Sequence, residues 1–127
     1  MKQVLLVDDN AVQLAMREMV LRKAALECHV ATSAQSALAL LRSGPGENNI
    51  GVVITDHLMP GMDGVEFVRQ LRSFNRQTPV IVISGLPDAD LEYKGLNVIF
   101  RLKPCDPEEL IALVQRTLDG SPHRRSA

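Results

Sequence analysis

The chain has no surplus of basic residues. Lysine and arginine number 14 against 15 aspartates and glutamates, a net charge of −1, whereas a nucleic-acid binder normally carries a basic face. Direct contact with nucleic acid is therefore not expected. No apolar stretch approaches the roughly 20 residues needed to cross a bilayer, and Met1-Lys2 runs straight into an apolar segment without a signal-peptide pattern. These absences lead to the expectation of a cytoplasmic protein that stays off the membrane. Cysteine is scarce: Cys28 and Cys105 should remain thiols in a reducing compartment. In the fold argued below they lie near opposite ends of a sheet, too far apart to bridge. At 127 residues the chain is the size of one ordinary domain, and it contains no repeat or internal low-complexity segment.

What is present is a hydrophobic period that switches back and forth. Strands are expected at 3–8, 27–31, 51–56, 79–84 and 98–102. Runs such as Val-Val-Ile-Thr and Val-Ile-Val-Ile show no polar alternation, which marks strands covered on both faces in a parallel sheet. Helices with readable starts stand between them. Asn10 caps the first, with Gln13 at the reciprocal capping position and Val12, Met16, Met19 and Val20 as its core-facing stripe. Thr32 or Ser33 caps the second, and Asp63 with Glu66 forms a capping-box pattern for the third. Asp106, Pro107 and two glutamates open the last. Alternation with right-handed crossovers gives an α/β, doubly wound, five-stranded parallel sheet in the flavodoxin-like order 2-1-3-4-5.

Polar residues stand where the apolar runs stop: Asp8-Asp9, Asp56, Ser84 and Lys103. In a parallel sheet those ends share the edge where open α/β sheets hold their ligands. Three carboxylates there repel one another, and a bound cation resolves the conflict; oxygen donors of this kind suit Mg²⁺. Each residue also has a plainer reading. An aspartate at a strand end is often only the next helix's cap, and Ser84 can serve as a cap or as a hydrogen-bond donor to a ligand. Phe100, in a chain with few aromatics, can be core and moving part at once. His57 reads as an exposed loop histidine beside the acids, a pH-sensitive neighbour more than a ligand.

Val7-Asp8-Asp9-Asn10, Asp56 through Gly64, Ser84-Gly85 and Lys103-Pro104 together resemble, in order and over nearly the whole chain, the motifs of the receiver domain of bacterial two-component response regulators. The resemblance implies a switch phosphorylated on Asp56 by a histidine kinase or phosphotransfer protein, rather than a turnover enzyme. Asp9, Asp56 and the backbone carbonyl of Leu58 match direct Mg²⁺ ligands, and Asp8 acts through a metal-bound water. Lys103 and Ser84 match the groups that contact the phosphoryl group, and Phe100 matches the aromatic that packs inward as the Ser84 loop closes. A cis Lys103-Pro104 peptide is also implied.

The chain departs from that pattern between Ser84 and Lys103, where it is about one helical turn short. Only 88–94, between Pro87 and Gly95, remains for the fourth helix, and so short a helix is marginal. In the family this helix contributes to the usual dimerisation and output face, so a monomer or weak dimer is expected. Signalling then passes to a downstream protein target or effector domain. Residues 1–119 read as the receiver domain and 120–127 as a disordered tail or the start of a linker. Two other functions compete: a degenerate receiver that only docks, and a Mg²⁺-dependent phosphohydrolase with an aspartyl nucleophile. The hydrolase fits poorly, because such enzymes carry Asp-x-Asp after the first strand, whereas here the acids are adjacent and the nucleophile candidate follows the third.

Overall fold

Five strands form where the β-branched runs stand: β1 Gln3–Val7, β2 Cys28–Ala31, β3 Ile50–Asp56, β4 Val80–Ser84 and β5 Ile99–Leu102. The computed structural model describes residues 2–43 and 49–120. All strand pairs are parallel and the order is β2-β1-β3-β4-β5, as the sequence led us to expect. Four α-helices connect or follow them: α1 Ala11–Lys23, α2 Ala34–Arg42, α3 Gly64–Phe74 and α4 Pro107–Leu118. Most of the loop expected at 43–49 and the tail at 121–127 lie outside the described residues.

Alternate strand residues feed two separate cores. Leu5, Val7, Val53 and Val82 pack with Leu38, Phe67, Val68 and Leu71 beneath α2 and α3, while Val4, Leu6, Ile54, Ile81 and Ile83 pack with Leu14, Leu21, Leu113 and Val114 beneath α1 and α4. Coverage of both faces explains the unbroken apolar runs. A side chain caps each start: Asn10, Ser33, Asp63 and Asp106 accept from the backbone N–H of Gln13, Ser36, Glu66 and Glu108. Each such cap contributes about 1 kcal/mol.

The stripe assigned to the core side of α1 is corrected. Val12 is 71 % exposed, Met16 and Met19 are also exposed, and Leu14 and Leu21 are the buried residues. Apolar side chains surround α1 on both sides, so helical spacing alone does not say which stripe faces the sheet. Between Leu14 and Leu21 the inward side carries Arg17.

The shortened fourth helix is a 3-10 stretch, Pro87–Tyr93. Tyr93 is buried and anchors it, whereas Leu91 is exposed. Arg72 ties down the following segment by donating to the carbonyls of Leu96 and Asn97 at 2.9 and 3.0 Å. Hydrogen bonds of 3-10 type are poorer than α-helical ones, and the segment adds little apolar burial. Amide exchange across 86–96 is therefore expected to be far faster than across 80–83, measured by hydrogen exchange in the native state. Protection equal to that of β4 would contradict this.

Candidate functional site

Asp8 follows β1, Asp56 ends β3, Ser84 ends β4 and Lys103 follows β5, so parallel pairing brings all four to the carboxyl edge of the sheet. The winding direction reverses between β1 and β3, which opens the crevice there. The backbone keeps the strand ends together: Lys103 N–H donates to the Ser84 carbonyl at 2.8 Å, and His57 N–H to that of Ile83 at 3.2 Å. The Lys103–Pro104 peptide is cis.

Asp8 and Asp56 converge. Asp8 is fully buried, and Asp56 is buried at the floor of the crevice. Lys103 Nζ lies 3.2 Å from Asp56 Oδ2. Two donors that the sequence reading did not place here come from α1. Gln13 Nε2 donates to Asp8 Oδ2 at 2.5 Å and to Asp56 Oδ2 at 3.3 Å. The Arg17 guanidinium spans the pair, with Nη1 3.2 Å from Asp8 Oδ2 and Nη2 3.4 Å from Asp56 Oδ1. Gln13 is thus not the second half of a capping box; Asp8 Oδ1 takes the Asn10 N–H at 2.9 Å, leaving the Gln13 amide for the acids. A signal existed in the sequence. Gln13 and Arg17 are four residues apart and so share one helix face, directly after an acidic pair.

Asp9 is exposed and its carboxylate meets no described partner. Among the described residues no three His, Cys, Asp or Glu side chains form a closed metal cage. Mg²⁺ does not require one, because it keeps several waters and takes only one or two carboxylates. Asp8 and Asp56, held together at the floor of the crevice with Asp9 next in the chain, fit that demand. Leu58, whose carbonyl the resemblance adds to the ligand set, follows two residues after Asp56 with its side chain 63 % exposed.

Ser84 is buried, and its hydroxyl accepts from the Leu86 N–H at 2.9 Å. It therefore stabilises its own turn and does not cap the 3-10 helix, whose first residue has no side-chain cap. Phe100 is half-buried, its ring 6.1 Å from that of Tyr93. His57 is not the exposed loop residue its sequence context suggested. It is buried, its Nδ1 lies 2.7 Å from the Tyr93 hydroxyl, and its Nε2 lies 3.7 Å from a Glu92 carboxylate oxygen. Burial, reinforced by Asp63, Glu92 and Asp56, pushes the Tyr93 phenol far above its ordinary range, so it stays a neutral hydroxyl. Gly64 permits this packing: a Cβ there would stand 2.8 Å from the Asp56 carbonyl and against the Tyr93 hydroxyl.

Beside the crevice, α1 and the β5–α4 loop border a groove of about 790 Å³ lined by Val12, Met16, Val20, Pro104 and Leu110, with Gln13, Arg17 and Lys103 shared with the acidic site. The exposed Val12 and Met16 side chains of α1 thus belong to the rim of the site.

Comparison with known proteins agrees with this arrangement. The response regulator receiver domain family matches residues 4–115. The response regulator protein TodT of Pseudomonas putida is 34 % identical over 125 residues, which are 96 % of this chain and 53 % of that protein. The chain spans about half the length of the curated relatives it matches. The chemotaxis protein CheY4 of Vibrio cholerae superposes with a TM-score of 0.80 at 31 % identity, covering 92 % of this chain and 98 % of that one. A response regulator receiver protein from Pseudomonas putida gives 0.81 at 31 % identity, covering 91 % and 96 %. With Asp8, Asp56, Ser84 and Lys103 assembled on one sheet edge, the chain belongs to the receiver domains of two-component response regulators.

Proposed function

We propose that Asp56 is the phosphoacceptor of this receiver, and that a histidine kinase or phosphotransfer protein supplies the phosphoryl group. The observation that carries the reading is the meeting of Asp8, Asp56 and Lys103 at the carboxyl edge, with a lysine ammonium 3.2 Å from the acceptor carboxylate. In the transfer, an Asp56 carboxylate oxygen forms a bond to phosphorus as the bond to the donor's imidazole nitrogen breaks, and that nitrogen keeps the electron pair. Such a transfer needs positioning and charge compensation more than covalent help from the protein. Lys103 supplies a compact cation for the phosphoryl oxygens, and the Ser84 hydroxyl, at the end of the neighbouring strand, would donate once its turn with Leu86 rearranges. Asp9, Asp56 and the Leu58 carbonyl would hold Mg²⁺ directly and Asp8 through water; the metal's chemistry is to offset charge on the transferred group.

The apolar groove supports a protein as donor. A partner seated against Val12, Met16 and Pro104 shares a wall with Lys103, which puts its phosphohistidine beside Asp56. Residues 1–119 form the switch unit. Phosphorylation changes protein contacts through Ser84 and Phe100, and the output goes to a downstream target or effector domain. No described helix is long and apolar enough to cross a membrane. The switch acts in the cytoplasm, as a monomer or weak dimer.

The test is to mix the protein with a small-molecule phosphodonor, with and without Mg²⁺, and to follow both intact mass and released phosphate. A switch gains one phosphoryl group only with Mg²⁺ and holds it. Continuous phosphate release without a modified protein would indicate a hydrolase. No modification under any condition would leave only the docking reading.

A further inference from the structure

We infer that Arg17 is an internal counter-cation that competes with the metal for the acidic site. The inference rests on the reading of Asp8 and Asp56 as the carboxylates that attract Mg²⁺. Arg17 reaches both at once, 3.2 Å from Asp8 Oδ2 and 3.4 Å from Asp56 Oδ1. Its side chain is only 13 % exposed, and the Asp8 side chain is not exposed at all. A guanidinium this buried is compensated only by the charges it touches, and here both are the carboxylates of the crevice. Gln13, one turn earlier on the same face, donates to the same two residues and holds them in the same arrangement.

The placement argues against a purely structural arginine. On α1 the sheet-facing stripe is Leu14, Arg17 and Leu21, and both leucines are buried. A third apolar residue would fill this stripe without the cost of burying a charge. What the arginine adds is a positive charge fixed between two acids, the same service a divalent cation performs there. Two cations that favour the same pair of carboxylates oppose each other, and by linkage each weakens the binding of the other. Arg17 also has a place to go, because it lines the open groove between α1 and the β5–α4 loop. Arg17 thereby lowers the negative charge of the resting site without metal, and Mg²⁺ gains full access only when Arg17 turns outward into that groove.

The test needs no phosphodonor. Mg²⁺ is titrated by calorimetry into the unmodified protein and into Arg17→Met, which keeps a long apolar stem and removes the charge, and the melting temperature of each is followed against Mg²⁺ concentration. Arg17→Met is expected to bind Mg²⁺ roughly tenfold to a hundredfold more tightly, to melt lower than the parent without metal, and to gain more from Mg²⁺ than the parent does. An Arg17→Met protein that folds only when Mg²⁺ is present supports the same conclusion. Should it fold under neither condition, Arg17→Lys, which cannot span both carboxylates with a planar fork, is expected to bind Mg²⁺ more tightly than the parent. Equal or weaker Mg²⁺ binding by the folded variant, beside measurable binding by the parent, overturns the inference and leaves the phosphoacceptor reading standing. If neither protein binds Mg²⁺, the metal reading fails and the inference fails with it.

Discussion

Asp9→Ala is expected to lose Mg²⁺-dependent phosphorylation by roughly two to three orders of magnitude, the usual cost of removing one charge-stabilising group from such a site, while its melting temperature stays near that of the parent. The two halves of that expectation have different sources. Asp9 is exposed and no described residue engages its carboxylate, so the fold gives up little when it is removed. Its proposed task is only to hold the cation. Asp8 makes a poor substitute for this test. Its carboxylate accepts from the Asn10 N–H, Gln13 and Arg17, so a loss of phosphorylation in Asp8→Ala would be mixed with a loss of stability. Phosphorylation rates from a small-molecule donor, set beside thermal melts of Asp9→Ala, check the expectation. An unchanged rate would remove Asp9 from the metal site.

The lifetime of the phosphoryl group should respond strongly to Leu58. Hydrolysis needs a water in line with the bond between phosphorus and Asp56, held there by polar side chains. Leu58, two residues beyond Asp56, and Leu86, two beyond Ser84, are both exposed and stand at the two chain positions from which such side chains would hold the water. Neither can hydrogen-bond it, and both tend to exclude it, so positioning, the main source of rate in phosphoryl transfer, is missing. A long-lived phosphorylated state follows, unless a partner supplies the missing group. Leu58→Asn places an amide at that approach and is expected to speed the decay roughly tenfold or more. The measurement is the loss of phosphoryl mass after donor removal in the two proteins. Equal or slower decay in Leu58→Asn would show that the lifetime is set elsewhere.

Strand positions and the helix caps were legible in the sequence because each rests on a local pattern, with the second cap left between Thr32 and Ser33; the strand order came instead from crossover handedness and the flavodoxin-like pattern. Short unbroken β-branched runs favour doubly covered strands, and Asn10, Ser33, Asp63 and Asp106 stand directly before helices. The shortness of the fourth helix was equally open to reading, since Pro87 and Gly95 leave no room for a longer one; its 3-10 winding was not. The orientation of α1 was not legible either. With apolar residues at 12, 14, 16, 19, 20 and 21, helical spacing fits either side, and the side that faces the sheet carries Gln13 and Arg17. Their polarity is compensated by Asp8 and Asp56, which arrive from β1 and β3; the spacing of four places Gln13 and Arg17 on one face, but nothing in α1 alone says that this face meets the acids. His57 was misplaced for the same reason. Its partner Tyr93 lies 36 residues away, and only the packing of the 3-10 segment against β3 and Gly64 buries the imidazole.

The most direct test is the mass of the intact protein after exposure to a small-molecule phosphodonor with Mg²⁺, taken side by side for the unmodified chain and Asp56→Asn. One phosphoryl group on the unmodified chain and none on Asp56→Asn is the predicted result; the same gain on both would place the phosphoryl group on another residue and contradict the assignment of Asp56.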